Sequence, residues 1–335
     1  MNEFLFSILA WINSWVGNWG WSMVVFTVMI RLVLTPLDLK SRISMRKTTK
    51  LQPQMQALQK KYANDKEKLN QKMAELYKKE HVNPLSSCLP LLLTWPILIA
   101  VFGAMRMAAN GQLLQQVTEI LRGQSPTMEP WLWIKNLWMP DSLFSPAYPD
   151  LGTLRQVAAD QWQSWFTTLQ AEGIPAALQS ANLTAESFTQ ANLTATIQVI
   201  EDALKAASPE YANAVAIMPG WNFNLLITQL SVPNVFNGLM LLPILSAVTQ
   251  IIMTKITGTG QPQDAGNAQA ASTGKFMQWF FPIFSLVICF GYSSAFALYW
   301  VAGNLVSMAQ TVIINKVLDN KEKNEAALAG EGTVK

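Results

Sequence analysis

Apolar positions along the chain gather into five runs, at 19–37, 85–106, 236–255, 276–292 and 294–315. A bilayer-spanning helix needs about 20 mainly apolar residues, and each run approaches that length. Helix is the expected state, because a transmembrane barrel would need many alternating segments of about ten residues. The last two runs are separated by a single residue, which predicts a tight antiparallel helical pair. Residues 1–18 read differently. Phe4, Leu5, Ile8, Leu9, Trp11, Ile12, Trp15 and Val16 recur at helical spacing, with Glu3, Asn13 and Ser14 interleaved. That pattern predicts an amphipathic helix lying in the membrane interface rather than a sixth span. A secretory signal is not expected, because no basic residue precedes the apolar stretch and no small-residue cleavage site follows it.

Two long polar stretches separate the runs. In 38–84, Leu51, Met55 and Leu58 mark one amphipathic stretch and Leu69, Met73, Leu76 and Tyr77 another. Asn64 is placed to cap the second, with Glu67 three residues later as its partner. The expectation is a helical hairpin with thin apolar faces. The stretch 107–235 is too long for a connector and predicts helices near Gly152–Gln170 and Glu186–Ala207. Its Trp131, Trp133 and Trp138 are expected at the outer leaflet, as interfacial tryptophans often are. The repeat Ala-Asn-Leu-Thr-Ala at 181–185 and 191–195 reads as chance in an Ala/Thr-rich segment.

Composition agrees with a membrane protein. Half of the residues are apolar and 13% are charged, against about 25% in a soluble domain. The net charge of +3 matters less than its distribution. The stretch 38–84 holds twelve Lys/Arg and five acidic residues, whereas 107–235 holds four basic and ten acidic ones. The positive-inside rule then puts 38–84, 256–275 and 316–335 in the cytoplasm, and the N-terminus and 107–235 outside. The cationic hairpin has two readings. It fixes topology, or it docks an anionic partner such as ribosomal RNA or anionic lipid, through exposed lysines including Lys60, Lys61, Lys78 and Lys79.

Catalytic and metal chemistry is not expected. The single histidine is His81, Cys88 and Cys289 lie in apolar runs, and no G-x-S-x-G, Walker A or H-E-x-x-H pattern occurs. The five runs contain no Asp or Glu, which argues against proton-coupled transport and intramembrane aspartyl proteolysis. Arg31 is the one ionisable residue that lies deep in a span. A central arginine costs about 2.5–3.5 kcal/mol on insertion scales. Snorkelling to the near end of the helix would relieve part of this. With no carboxylate in the other spans, solvation must come from water, lipid phosphate or neutral groups such as Thr27, Gln250, Asn304, Ser307 and Gln310. A hydrated groove is the expected setting.

These segments resemble the YidC family of membrane protein insertases, which has mitochondrial and chloroplast relatives. Gly20-Trp21-Ser22 through Ile30-Arg31-Leu32 to Thr35-Pro36-Leu37 is similar to that family's arginine-bearing helix. Leu76-Tyr77-Lys78-Lys79-Glu80-His81-Val82-Asn83-Pro84-Leu85, leading into Cys88-Leu89-Pro90-Leu91 and Trp95-Pro96-Ile97, is the most specific match. Leu298-Tyr299-Trp300-Val301-Ala302-Gly303-Asn304, followed by Gln310, is similar to the closing helix. The resemblance implies an all-α, five-span core with a groove open to the cytoplasm and to lipid, in a bacterial plasma membrane. It implies insertion and chaperoning of small membrane proteins without enzymatic chemistry or a cofactor. Implied partners are nascent membrane proteins, the translating ribosome, the Sec translocon and the lipid bilayer. By position, Arg31 is the groove cation, Thr27 lines the groove and Trp300 contacts the incoming helix. Gln250, Asn304 and Gln310 complete the polar lining. The long 107–235 stretch departs from the family's short connector, and no large outer domain precedes the core. Both departures imply a Gram-positive-like member. The 107–235 stretch carries no family motif and is expected to be dispensable for insertion of a simple client. A small-solute transporter or channel, or a structural scaffold, are the competing function classes.

Overall fold

A computed structural model describes residues 2–80, 89–224, 229–257 and 268–331. Its helices, in chain order, begin with α1 (Asn2–Val16), α2 (Trp19–Lys61), α3 (Lys66–Lys79) and α4 (Leu89–Leu121). The insert follows with α5 (Leu151–Leu154), α6 (Ala159–Glu172), α7 (Ala176–Gln179), a 3-10 turn (Ala185–Phe188), α8 (Leu193–Ala207) and α9 (Pro209–Val215). A two-stranded antiparallel hairpin, β1 (Ile217–Asn224) and β2 (Gln229–Pro233), precedes α10 (Leu241–Thr257), α11 (Ala268–Gly291) and α12 (Ser294–Glu331). The fold is thus helical, with one small sheet that the sequence reading did not include. Among the described residues three stretches are long and apolar enough to cross a membrane: Trp19–Ser44, Pro96–Leu121 and Ser294–Asn324. Leu241–Ile256 and Gln278–Gly291 are shorter apolar helices. His81 and Cys88, with the middle of the motif they belong to and 258–267 of the stretch 256–275, lie outside the described residues.

Two compact units divide the chain. The first comprises Met1–Val24, Ala100–Leu245 and Leu286–Tyr299. Here α1 buries Leu5, Leu9 and Ile12 along one face and leaves Phe4, Trp11 and Trp15 exposed. The buried face packs on protein, and the second apolar face is free to meet lipid. Gly17, at φ 72, ends the helix in the left-handed conformation that glycine adopts at no steric cost. Asn18 then caps α2, its Oδ1 accepting from Trp21 N at 3.1 Å. Glu129 reaches the same helix start, accepting from Asn18 Nδ2 and Trp19 N, both at 3.0 Å. A carboxylate there satisfies open N–H groups and complements the helix dipole.

Helix α4 does not stop near 106 but runs to Leu121, and its last turns belong to the insert. Leu114, Val117, Ile120 and Leu121 share one apolar core with Leu154, Trp162, Phe166, Phe188, Ile197, Ile200, Leu204 and Tyr211. The rings of Trp162, Trp165 and Phe166 surround Phe188 at centroid distances of 6.2, 6.2 and 4.8 Å. The two helices expected in the insert are present but broken: α5 and α6 replace the first, and the 3-10 turn and α8 replace the second.

The tryptophan expectation is overturned. Trp138 is 1% exposed and Trp131 8%, both inside protein rather than facing a leaflet. Trp138 packs edge-on against Trp19 at 5.4 Å, and Trp131 against Trp21 at 5.7 Å. Gly20 permits this approach, since a Cβ there would overlap the Trp131 ring. Trp133 donates to Asp141 Oδ2 at 3.1 Å.

A buried polar network holds the base of the insert. Asn237 Nδ2 donates to the carbonyls of Asn136, Met139 and Pro140, and its Oδ1 accepts from Asn136 N. Asn136 Nδ2 in turn donates to Gln116 Oε1 and Ala147 O. Asp141 accepts from Met240 N and Leu242 N at 3.1 and 2.7 Å, at the start of α10. At the start of α12, Ser294 N and Oγ donate to Met139 O and Ala295 N donates to Leu137 O. The insert therefore supplies caps to three helices of its unit.

The second unit comprises Val25–Ile99, Ser246–Ser285 and Trp300–Lys335. The expected boundary at 37 does not interrupt α2, which continues as one helix into the first arm of the hairpin. The arms meet through Leu51 and Met55 against Met73, Leu76 and Tyr77, with Tyr77 Oη 3.8 Å from Met55 Sδ. Asp65, not Asn64, caps α3: its Oδ1 accepts from Lys68 N at 3.0 Å. Asn64 falls one residue early, so Glu67 sits in the first turn without completing a capping box. Lys60, Lys61, Lys78 and Lys79 are exposed.

Candidate functional site

The second unit carries a polar seam between α2 and α12. On α2, Arg31, Thr35, Arg42, Arg46 and Lys50 follow steps of four and seven residues, which keep them on one helix face. On α12, Gly303, Gln310, Thr311, Asn315, Asp319 and Glu322 answer them. Gln310 Nε2 donates to Arg31 O at 3.0 Å and to Thr35 Oγ1 at 2.8 Å. Thr35 Oγ1 also donates to Arg31 O at 3.0 Å. Arg42 donates to Thr311 Oγ1 at 2.6 Å, and Arg46 to Asn315 O at 3.1 Å. Arg46 pairs with Asp319 at 2.7 Å, and Lys50 with Glu322 at 3.0 Å.

Gly303 sets the spacing at the upper end of the seam. A Cβ at that position would lie 3.1 Å from the Arg31 guanidinium. Arg31 is half-buried, and among the described residues no carboxylate lies within 4.0 Å of it. The first ion pair on this face occurs fifteen residues on, at Arg46, or about 22 Å of helix rise. Arg31 therefore presents a charge without a fixed counter-charge, whereas Arg46 is neutralised.

Several buried polar atoms along the seam have no hydrogen-bond partner among the described residues. They are Ser307 Oγ, Gln310 Oε1 and Arg42 Nε. Buried polar groups are nearly always satisfied by protein or water, so this local concentration leaves hydrogen-bonding capacity open along the seam. Thr27 is fully buried on α2. Asn304 turns to α10, where its Nδ2 donates to Thr249 Oγ1 at 3.0 Å. Ser246 and Ser285 join α10 to α11 through their hydroxyls at 2.9 Å. Gln250 and Trp300 are half-buried. The structure thus brings Arg31 and Gln310 together directly and ties Asn304 to a neighbouring polar cluster. No hydrogen bond among the described residues joins the Gln250 side chain to Arg31.

Sequence reasoning missed Gly303, Thr35, Thr249, Arg42 and Arg46 as parts of one seam. In the sequence Arg42 and Arg46 read as part of a topology-fixing charge, and their four-residue spacing is the signal that separates them from it. Gly303 carries no chemistry and gave none. Among the described residues no group of three or more His, Cys, Asp or Glu could hold a metal.

A family model described as 60Kd inner membrane protein matches residues 11–200 and 193–322. Similar curated relatives include proteins named "Membrane protein insertase YidC". That of Bordetella petrii is 38% identical over 141 residues, covering 42% of this chain and 22% of the relative. That of Thioalkalivibrio sulfidiphilus is 38% identical, covering 42% and 23%, and that of Cupriavidus necator 41%, covering 42% and 23%. The chain thus spans less than a quarter of the length of these relatives in the matched region.

Proposed function

The chain belongs to the 60Kd inner membrane protein family, and from that membership we propose that it is a membrane protein insertase and chaperone. It acts on nascent membrane proteins in the lipid bilayer, delivered by the ribosome, with or without the Sec translocon. Five spans form its core, in a bacterial plasma membrane, with the N-terminus and the insert outside and the hairpin and C-terminus in the cytoplasm. Arg31 is the cation of a hydrated groove to which Thr27, Gln250, Trp300, Asn304 and Gln310 contribute.

The observation that supports this reading best is the company Arg31 keeps. It stands beside unsatisfied polar atoms and has no carboxylate partner among the described residues, so its field is available to a guest. A hydrophilic segment entering from the cytoplasm exchanges bulk water for this polar seam, which shortens the distance over which its backbone lacks hydrogen-bond partners. An acidic segment gains further from the charge. The apolar segment that follows partitions into lipid, and its burial, about 25 cal/mol per Å² of apolar surface, drives the step without nucleotide. The exposed Lys60, Lys61, Lys78 and Lys79 give the hairpin an anion-binding face for the ribosome.

Insertion into liposomes by Arg31→Ala, Arg31→Lys and wild type, at matched protein levels, tests the proposal. Clients should come in pairs differing only in acidic translocated residues. Arg31→Ala should fold yet lose most insertion of the acidic clients, while Arg31→Lys should keep much of it, because no bidentate partner is present. Equal activity of Arg31→Ala and wild type on acidic clients would refute the role of the charge.

A further inference from the structure

The first unit contains a small, partly open pocket. It is lined by α4, by the insert at Trp138 and Gln156, and by the turn from α11 to α12. One wall is aromatic: Phe102, Tyr292 and Phe296 pack at centroid distances of 5.1–5.7 Å. The polar part is rich in donors. Arg106 donates to the backbone carbonyl of Gln156 and keeps its remaining N–H groups available. Trp138 is 1% exposed, and its indole N–H has no acceptor among the described residues. No Asp or Glu lines the pocket.

Of the other basic side chains of this unit three are already engaged, and the fourth, Arg155, is exposed and does not line the pocket. Arg122 pairs with Glu172 at 2.8 Å, Lys205 with Glu201 at 3.1 Å, and Lys135 lies 4.8 Å from the centre of the Phe236 ring. Arg106 forms no ion pair among the described residues. A concave site with a cation, an unpaired buried donor and no acid selects an anion that accepts hydrogen bonds.

Position selects the kind of anion. Helices α11 and α12 are both apolar and join through two residues, Tyr292 and Ser293. A turn that short between two spans lies at the membrane surface, where headgroup phosphates and interfacial aromatics reside. Gln156 Nε2 donates to Gly291 O at 3.3 Å, which sets the pocket at the level of that turn. One helical turn before Gly291, Val287 is 63% exposed, an apolar surface for an acyl chain. We propose that this pocket binds the headgroup of an anionic phospholipid of the outer leaflet, with Arg106 and the Trp138 N–H on its phosphate. The leaflet assignment rests on the topology proposed above; the site itself does not.

The test is lipid retention by the full chain, extracted from membranes of phosphatidylglycerol and phosphatidylcholine in equal parts and read by native mass spectrometry. Wild type should retain one phosphatidylglycerol in preference to phosphatidylcholine. Arg106→Gln should lower that occupancy by about tenfold or more, as loss of a charge-assisted contact does. Trp138→Phe, which keeps a ring but removes the N–H, should lower it about fivefold. Arg122→Gln should leave it unchanged. Equal retention by wild type and both pocket variants would overturn the proposal. So would indifference between the two lipids, or displacement by millimolar inorganic phosphate, which would identify a soluble anion. Labelling of Gly291→Cys in intact cells by a membrane-impermeant maleimide tests the leaflet separately. Absence of labelling would move the site to the other face and refute the proposed topology, without altering lipid retention in detergent.

Discussion

The insert and the cytoplasmic hairpin are both polar, largely helical interruptions between apolar runs, yet they are built on opposite principles. The insert has a continuous apolar core and a buried hydrogen-bond network that reaches the starts of α2, α10 and α12. The hairpin has two buried apolar residues, Leu51 and Met55, and is tied at its base by the exposed or half-exposed pairs of Arg46 and Lys50 with Asp319 and Glu322. Burial on the insert's scale fixes one arrangement, whereas surface ion pairs contribute little to stability. One region is architecture and the other is a charged, weakly held surface.

The largest effect that separates them is deletion. Removing 112–220 takes away the last turns of α4 together with Glu129, Asn136, Leu137, Met139 and Asp141, so the caps of three helices go with it. Accumulation of the protein in membranes should fall severely, contrary to the dispensability expected from the absence of family motifs. Replacing 51–79 by a flexible linker should leave accumulation near normal. Comparable losses from the two deletions, measured by membrane accumulation, would erase the contrast.

Point changes sharpen it. Phe188→Ala should cost about 3–5 kcal/mol, the usual effect of removing a fully buried ring. Leu51→Ala in the thin hairpin core should cost less than about 2 kcal/mol, because few neighbours lose contact. Thermal unfolding in detergent reads both. A pH dependence follows in the insert. Burial, and then the 2.7 Å hydrogen bond to Glu210, push the Tyr148 phenol up to about 12. An unfolded tyrosine ionises near about 10. Its contribution is therefore complete below that pH and is lost as pH rises through the folded value. Tyr148→Phe should flatten the decline in thermal stability between those two pH values. The smallest effect belongs to the hairpin base. Arg46→Ala should change stability by no more than about 1 kcal/mol, and high salt should mimic it. Hydrogen exchange of the hairpin amides in low and high salt checks this.

The sequence made legible what depends on local pattern. The apolar runs, the amphipathic α1 and the two arms of the hairpin follow from residue spacing alone. Arg31 stood out because an isolated charge in an apolar run is rare. What could not be read depends on partners distant in the chain. Trp138 and Trp131 look interfacial until Trp19 and Trp21 are seen to cover them. Asn237 looks like a loop residue until it is found holding three carbonyls about a hundred positions earlier in the chain. The hairpin β1–β2 had a local signal, the alternation of Trp221 and Phe223 with Asn222 and Asn224, which the helical reading of the insert passed over. Asp65 displaced Asn64 because a cap is decided by where the chain turns, and one residue moves the turn.

Helix α2 has a mechanical consequence. From Arg31 to Lys61 it is unbroken, about 45 Å of rise, so a load applied at the hairpin is carried along one rod to the guanidinium. That rod contains Pro36 and Pro53, each of which lacks an N–H and removes one rung of the hydrogen-bond ladder. Bending stiffness is therefore lowest at those two points. The rod behaves as three rigid links with two compliant joints, one within the hairpin core, between Leu51 and Met55, and one a single turn below Arg31. A force applied at Lys60 and Lys61 would reach Arg31 as a small rotation at Pro36 rather than as a translation of the whole helix.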